Sequence, residues 1–162
     1  MPPMTPVPVA ASHVEMTQLV MPIHANTHGT AFGGTVMAWT DLAAGMAAMR
    51  HARLPVVTAS IDQLAFRSPV RIGQIALIRA QVNAVFATSM EVGVEVWTEE
   101  PLSGERHHCC EAFLTFVALG PDGRPRPVPP LLAESDEERR RQREAATRRA
   151  SRLQLREALQ GR

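Results

Sequence analysis

Residues 22–41 read PIHANTHGTAFGGTVMAWTD and mark the change from an irregular loop to a long helix. Gly29, Gly33 and Gly34 cluster just before and at the start of an Ala- and Met-rich segment, residues 33–50, which contains no proline. A segment of this length makes about five helical turns. Because it is apolar around most of its circumference, it needs cover on more than one side. The stretch therefore predicts one central, largely buried helix.

The cover for this helix comes from segments with the period of a β-strand. In the clearest of them, Met90, Val92 and Val94 alternate with Glu91 and other residues. A curved antiparallel sheet of five or six strands wrapped around the helix gives an α+β two-layer fold. Its edges and outer face would need a partner, which predicts at least a dimer. The predicted strands are residues 13–21, Val56–Phe66, Gln74–Phe86, Thr88–Glu99 and Arg106–Leu119.

The chain divides into four parts around this pattern. A Pro-rich leader, residues 1–12, is expected to be disordered or extended. The patterned domain spans residues 13–119. Residues 120–133 (GPDGRPRPVPPLLA) form a Pro-rich linker that can be neither an α-helix nor a central strand. Residues 134–162 are expected to form a charged, solvated helix.

The C-terminal helix carries its own start signal. Ser135 and Glu138 have the S-x-x-E spacing of a capping box, in which each side chain binds a backbone N–H of the other. Acid-before-base pairs at i,i+4 would each add a few tenths of a kcal/mol. The predicted pairs are Asp136–Arg140, Glu137–Arg141 and Glu144–Arg148.

Composition excludes several classes of function. Hydrophobic residues make up 45% and charged residues 20% of the 162-residue chain, and no apolar run approaches the ~18 residues of a membrane-spanning helix. The N-terminus has no basic residue before its apolar part, unlike a secretory signal. Residues 1–133 carry 8 arginines and 10 acidic residues, a poor surface for nucleic acid. The only two cysteines are adjacent, which excludes a disulfide framework and indicates a reducing, cytoplasmic location.

Asp41 is the sharpest chemical clue in the helix. Its neighbours at i−4, i−3, i+3 and i+4 are Met37, Ala38, Ala44 and Gly45, and none can pair with a carboxylate. A carboxylate on an apolar stripe is costly unless it has a partner or a task. It is either a general base or a structural aspartate bonded to backbone elsewhere.

The residues before the helix leave two interpretations open. The start of a helix offers free N–H groups and a positive dipole end, which suit a carbonyl oxygen becoming an oxyanion. Gly33 and Gly34 could serve that purpose or simply allow a tight turn and close helix–sheet packing. Asn26 is also a common turn residue, and His28 could be catalytic or a packing or capping residue.

The run His107-His108-Cys109-Cys110 resembles a metal cluster only superficially. On a regular strand, neighbouring side chains point to opposite faces, which leaves two ligands on each face where zinc needs three or four. Buried strand cysteines are usually inert. We therefore predict no metal site here.

Residues 22–41 resemble the P-x-x-A/T-N-x-x-G-x-x-F-G-G-x-x-M-x-x-x-D pattern of the hot-dog-fold acyl-CoA thioesterases, especially the bacterial YciA-type enzymes and the brain-type cytosolic acyl-CoA hydrolases. The likeness continues through residues 62–70 (DQLAFRSPV) and 88–92 (TSMEV), and covers residues 13–119 in order. His24 departs from the pattern, since that position is often an aspartate.

The resemblance implies a hot-dog fold, a dimer, and the grouping of dimers into a hexamer. It implies that Asp41 is the catalytic carboxylate and Asn26 the catalytic asparagine, contributed by opposite subunits to one active site. It places the start of the helix against the thioester carbonyl. The implied oxyanion and thioester-binding residues are Gly33, Gly34, Gly29 and His28, and the implied coenzyme A contacts are Arg67, Ser68, Arg71, Thr88 and Ser89.

These observations predict an acyl-CoA thioesterase that hydrolyses acyl-CoA to a carboxylic acid and free CoA. Asp41 would act as general base or as nucleophile, two roles that the sequence leaves open. No metal or other cofactor, nucleic-acid partner or membrane contact is expected. The alternative is an acyl-CoA-binding sensor of the same fold that performs no turnover.

Overall fold

A computed structural model describes residues 3–161 as a five-stranded antiparallel sheet curved around one long helix. The elements are β1 Val7–Pro8, β2 Val14–Leu19, α1 Gly33–Ala52, β3 Val56–Phe66, β4 Ile75–Phe86, β5 Ser89–Glu99, β6 Arg106–Ala118, β7 Leu131–Leu132 and α2 Asp136–Gln160. The strand order in the sheet is β2-β4-β5-β6-β3, which confirms the predicted α+β class. Neither helix in the described range is long and apolar enough to cross a membrane.

The central helix α1 packs on the inner face of the sheet through its smallest residues. Ala43, Ala44, Ala47 and Ala48 are completely buried there, among the inward-facing side chains of β4, β5 and β6. Small side chains let the helix axis approach the sheet closely. Helix α1 runs two residues beyond the predicted end and stops at Arg53, which takes a left-handed conformation (φ 54°).

The strands match their predicted ranges within a residue or two, and β3 matches at both ends. Strand β3 lies at an edge of the sheet and pairs only with β6. Its register slips between Thr58 and Ser60 and again between Asp62 and Ala65. Gln63, at the second slip, has a positive φ of 53°. Such bulges bend an edge strand locally.

The Pro-rich leader is more ordered than its composition suggests. Strand β1 pairs in parallel with β7 from the linker, whereas Val9–Ser12 form a short 3-10 helix instead of disordered or extended chain. Val9 and Ser12 are buried. The Ser12 hydroxyl accepts a hydrogen bond from the backbone N–H of Val82 on β4 at 2.9 Å. These contacts fasten the leader to the domain.

Helix α2 begins where its sequence predicts, but its ion pairs differ. The Ser135 hydroxyl accepts from the N–H of Glu138, and the Glu138 carboxylate accepts from the N–H of Ser135. The predicted Glu137–Arg141 pair is present at 3.0 Å. The other two predictions are wrong, because neighbours at i,i+3 and residues on the sheet compete for the same groups: Asp136 pairs with Arg139, Arg140 with Glu137 and Glu144, and Arg148 with Glu91.

One face of α2 lies against the outer face of the sheet, so the helix is not simply solvated. Glu91 on β5 is 1% exposed and receives two hydrogen bonds from Arg148, at 2.7 and 3.1 Å. The Arg148 guanidinium also stacks 3.6 Å from the ring centroid of Phe113. Further along, Arg152 binds Asp62 on β3 at 2.6 Å. Helix α2 therefore folds back on its own domain.

Candidate active site

The start of α1 presents backbone N–H groups without a capping side chain. Phe32 precedes the helix and supplies no cap, while its carbonyl accepts from the N–H groups of Thr35 and Val36. In the described chain, the N–H groups of Gly33 and Gly34 have no partner, and both residues are exposed. Two free donors at the positive end of a helix dipole make a site for a developing negative charge.

A cavity of about 350 Å³ opens beside these donors. Phe66, Arg67 and Ser68, from the end of β3 and the turn after it, contribute to its walls together with Gly33. A Cβ atom built at Gly33 would lie 3.5 Å from the Phe66 ring, which is ordinary contact, and one at Gly34 would meet nothing within 4 Å. Close helix–sheet packing therefore does not by itself require this glycine pair.

Asp41 lies two turns further along α1 and has a partner that helical spacing could not reveal. Its Oδ1 accepts a hydrogen bond of 2.7 Å from the hydroxyl of Thr58 on β3. Asp41 is partly buried and Thr58 is exposed. The carboxylate is thus held by one side-chain donor at the free edge of the sheet, and it is not bonded to backbone as a purely structural aspartate would be.

Asn26 organises the loop that precedes α1. Its side-chain oxygen accepts from the backbone N–H of His28 at 2.9 Å and of Thr30 at 3.3 Å, and its amide donates to the Thr30 hydroxyl at 3.0 Å. Gly29 has a φ of 75°, a conformation that favours glycine, and so allows the tight turn. The His28 ring is exposed. Within one chain, Asn26 and Asp41 bind different partners and do not bind each other.

The residues expected to contact coenzyme A fall into two groups. Arg67 and Ser68 are tied to β6, since the Arg67 N–H donates to the Cys109 carbonyl and the Ser68 hydroxyl to the His108 carbonyl. Arg71 lies in the same turn region, bridged to Thr30 beside the Asn26 loop.

The second group, Thr88 and Ser89, lies in the β4–β5 turn. Ser89 pairs with Val117, whereas Phe66, the residue before Arg67, pairs with Cys110, seven residues away along β6. At about 3.3 Å per residue, the two groups are roughly 23 Å apart in one chain. One chain therefore brings Arg67, Ser68 and Arg71 to the start of α1 but does not bring Thr88 and Ser89 there.

The His107–Cys110 run does not follow the predicted alternation. Cys110 pairs with Val96 and His108 with Trp97, so a bulge leaves Cys109 between them. Both cysteines are free and buried in the core. No group of three or more potential metal ligands occurs within residues 3–161.

Two residues of the site escaped the sequence reasoning. Thr58 belongs to a strand far from α1 in sequence, and no local spacing connects it with Asp41. Phe66 lies in residues 62–70, which resemble the family, but the sequence did not place its ring beside the start of α1, where a Cβ built at Gly33 would lie 3.5 Å from it. The preference of aromatic residues for strands hides such a contact.

Comparison with known proteins gives a consistent family. Residues 28–105 match the Thioesterase superfamily. The chain is 41% identical over 127 residues to YkhA of Bacillus subtilis, named as an uncharacterised acyl-CoA thioester hydrolase, and the match covers 78% of this chain and 74% of that protein. It is 39% identical over 90% of its length to the acetyl-coenzyme A thioesterase of Rattus norvegicus. The chain spans about a quarter of the length of that relative.

Comparison with solved structures gives the same family. An apo-hexameric acyl-CoA thioesterase superposes with a TM-score of 0.90 at 40% identity, covering 93% of this chain and 97% of the other. An acyl-CoA hydrolase from Staphylococcus aureus, solved with butyryl coenzyme A, coenzyme A and coenzyme A disulfide, has a TM-score of 0.85 at 33% identity over 95% and 96% of the two chains. Variants of that hydrolase with an asparagine, an aspartate or a threonine changed to alanine have also been solved. The chain belongs to the hot-dog acyl-CoA thioesterases of the thioesterase superfamily.

Proposed function

We propose that this protein hydrolyses acyl-CoA thioesters to a carboxylic acid and free CoA. The observation that carries the proposal is the pairing, on one helix, of a carboxylate held by a hydroxyl donor with two unpartnered N–H groups two turns away. Thioester hydrolysis needs a group that supplies or activates a nucleophile and a group that stabilises the oxyanion. The names of the relatives support acyl-CoA as the substrate.

The Gly33 and Gly34 N–H groups act as the oxyanion hole in this proposal. The substrate carbonyl enters the cavity beside Phe66, and its oxygen gains negative charge when the tetrahedral intermediate forms. Preorganised backbone donors need no reorganisation at that moment, and each is typically worth about 3 kcal/mol. The same two donors stabilise the ground-state carbonyl less, so the gain is catalytic.

Asp41 supplies the nucleophilic half of the reaction. It either takes a proton from water as that water attacks the thioester, after which the C–S bond breaks and CoA leaves, or attacks the carbonyl itself, expelling CoA as its thiolate and forming an anhydride that water then hydrolyses. The Thr58 hydroxyl donates to Oδ1 and leaves Oδ2 for this task. The three residue types exchanged for alanine in the Staphylococcus aureus hydrolase are those of Asn26, Asp41 and Thr58, which supports their joint role.

A second copy of the chain completes the site. Asp41 and Thr58 lie at the free edge of β3, where Val57 and Phe66 are each 46% exposed. A long edge strand with exposed apolar side chains is a template for pairing with another chain. Pairing there would bring the Asn26 loop of one subunit to Asp41 of the other, so that Asn26 orients the water or the thioester. Hexameric neighbours support a further grouping of dimers.

Coenzyme A would lie across the mouth of the cavity. Its phosphates require positive charge, which two exposed arginines could supply: Arg67 lines the cavity, and Arg71 follows the lining residue Val70. Thr88 and Ser89, at the other end of the sheet, could reach the ligand only from a neighbouring subunit. No metal or other cofactor takes part in the proposal, and a cytoplasmic location stays a prediction from the free cysteines.

CoA release, followed with a thiol reagent over short, medium and long acyl-CoAs, tests the proposal. Wild type should release thiol, and Asp41→Asn should lower the rate by roughly 10²–10⁴-fold, because loss of a general base costs about that much. Asp122→Asn is the matched control, since Asp122 is an exposed turn residue paired only with Arg126 and backbone. Binding of CoA esters without thiol release from any of them would favour the sensor and overturn the proposal.

A further inference from the structure

We propose that the neutral imidazole of His24 is a positioning residue that fixes the Asn26 loop against α1, and that its protonation loosens the loop. This inference rests on the proposed function, because it acts through Asn26. His24 itself does not reach the cavity beside Gly33. Its role is to set where the Asn26 side chain stands relative to α1.

His24 holds both ends of the loop. Its ring Nδ1 accepts a hydrogen bond of 3.0 Å from the backbone N–H of Met21, at the start of the loop. Its carbonyl accepts a hydrogen bond of 3.0 Å from the N–H of Phe32, the last residue before α1. Asn26, two residues after His24, lies inside the segment that these two bonds close.

The His24 ring also joins the loop to the helix that carries Asp41. It packs edge-on against the indole of Trp39, with ring centroids 5.1 Å apart and an interplanar angle of 82°. Edge-to-face contacts of this kind are attractive beyond simple burial. Trp39 lies two residues before Asp41 on α1. One side chain therefore connects the Asn26 loop to α1, which carries the Asp41 that serves the other active site of the proposed dimer.

The chemistry of the ring makes this link dependent on protonation. A backbone N–H can only donate, so Nδ1 must be the acceptor and the ring proton must sit on Nε2. A protonated imidazole has no acceptor nitrogen and would set a donor against the Met21 N–H. Histidine is the side chain that changes charge in this way between pH 5 and 8.

Few charges face the ring. The first turn of α1 carries no acidic residue, and the acid nearest to Trp39 on that helix, Asp41, is bound by Thr58. The loop itself contributes only the exposed His28. Within residues 3–161, no carboxylate lies within salt-bridge distance of His24. Within residues 3–161, no acidic group is therefore placed to pair with the positive charge that protonation of the His24 ring would introduce.

Two substitutions separate the acceptor from the ring. His24→Asn keeps an acceptor, because Oδ1 is bonded to Cγ as Nδ1 is, and it does not titrate. His24→Phe keeps a ring on Trp39 and has no acceptor. We expect His24→Phe to lower kcat about fivefold at pH 8, where wild type has the Met21 bond, with KM changed less than about twofold; fivefold is the equivalent of one ordinary hydrogen bond. His24→Asn should stay within about twofold of wild type at pH 8.

The pH profile is the decisive readout, since a merely structural role would leave its shape unchanged. From pH 8 to pH 5.5, the kcat of His24→Asn relative to wild type should rise about fivefold, because only wild type loses the Met21 bond. His107→Asn, which removes an exposed histidine of β6, should show a constant ratio. Thermal melts check that every variant is folded.

A constant ratio for His24→Asn, or wild-type kcat in His24→Phe at pH 8, would overturn the inference. An equal rise in His107→Asn would overturn it as well, because the effect would not belong to this ring. If wild type releases no CoA from any acyl-CoA, the proposed function falls and the His24 inference falls with it. If wild type is active and Asn26→Ala keeps the full wild-type rate, the loop has no catalytic role, so the His24 inference falls while the hydrolysis of acyl-CoA stands. If Asn26→Ala is inactive while the His24 ratio is flat, only the His24 inference fails.

Discussion

The two helices of this protein differ in how the backbone N–H groups of their first turns are satisfied. Helix α2 starts with a complete capping box between Ser135 and Glu138 and is laced with ion pairs. Helix α1 starts with two glycines, has no capping side chain and carries a lone carboxylate, Asp41, in its middle. A helix built for stability satisfies its terminal donors; α1 leaves them open.

The contrast teaches where to look for chemistry in a small domain. Uncapped helix starts cost stability, and a protein that keeps one needs a compensating use for it. Here the buried alanine face of α1 stabilises the helix through packing, so its start is free to bind substrate. On α2, Ala145 is buried and most other side chains are exposed or half-buried, so this helix depends on its cap and its ion pairs.

Among the changes that test this comparison of the two helices, removing one donor at the start of α1 should have the largest effect. Gly33→Pro deletes an N–H at the first helical position, where proline is well tolerated, and the extended ψ of Phe32 (138°) suits a following proline. We expect kcat for acyl-CoA hydrolysis to fall roughly 10²–10³-fold while the melting temperature stays near wild type.

The same change at the start of α2 is the matched control. Asp136→Pro deletes the corresponding N–H after Ser135, whose ψ of 162° is equally suitable. This variant should hydrolyse acyl-CoA at the wild-type rate. Equal losses in the two proline variants would show that the open start of α1 has no special role.

The next effect concerns the contact of α2 with the sheet. Arg148→Ala leaves the fully buried Glu91 without its guanidinium partner and should lower the free energy of unfolding by about 2 kcal/mol, measured by urea denaturation. The double change Glu91→Gln with Arg148→Met should recover most of that loss, because it removes both charges. Identical stability of the single and double variants would contradict this account of the contact.

Loss of the α2 cap should have a smaller effect. Ser135→Ala removes the acceptor for the Glu138 N–H and should cost about 1 kcal/mol of stability. Ser151→Ala, an exposed change within the same helix, should be nearly neutral. Neither variant should change kcat. A fall in kcat with Ser135→Ala would contradict the view that the cap of α2 serves stability and the start of α1 serves catalysis.

The smallest effect is a pH dependence at the far end of α1. Burial lowers the pKa of His51 from its ordinary value, while its Nε2 donates to the Pro129 carbonyl at 2.8 Å. Because the folded pKa is lowered, the unfolded chain takes up the proton first, and stability falls as pH drops below about 6.5. The difference between the urea midpoints at pH 7.5 and at pH 5.5 should therefore be smaller in His51→Gln than in wild type. An unchanged difference between the two midpoints would exclude His51 as its source.

Much of the fold could be predicted because its signals are local. The apolar, proline-free run of α1, the alternation along β5 and the S-x-x-E cap of α2 each depend on residues close in sequence. The misassigned ion pairs of α2 show the limit of local rules. Arg148 pairs with Glu91, 57 residues away, because burying a carboxylate is costly unless it is paired and hydrogen-bonded.

The candidate site divides in the same way. The glycine pair, Asn26 and Asp41 stand out in a single stretch of sequence. Thr58 does not stand out, since its hydroxyl reaches Asp41 only when β3 and α1 pack together in the folded chain. The bulge at Cys109 was equally hidden, because the alternation rule assumes an unbroken register.

Subunit complementation tests the central claim, an active site that combines Asn26 of one chain with Asp41 of another. Asn26→Ala and Asp41→Ala should each be nearly inactive alone. When the two variants are co-expressed and pair at random, half of the dimers contain one copy of each. Each of these mixed dimers has one intact site of two, so activity should return to about a quarter of wild type. If the mixture is as inactive as its components while mixed dimers are shown to form, the two residues do not act across subunits and the account is wrong.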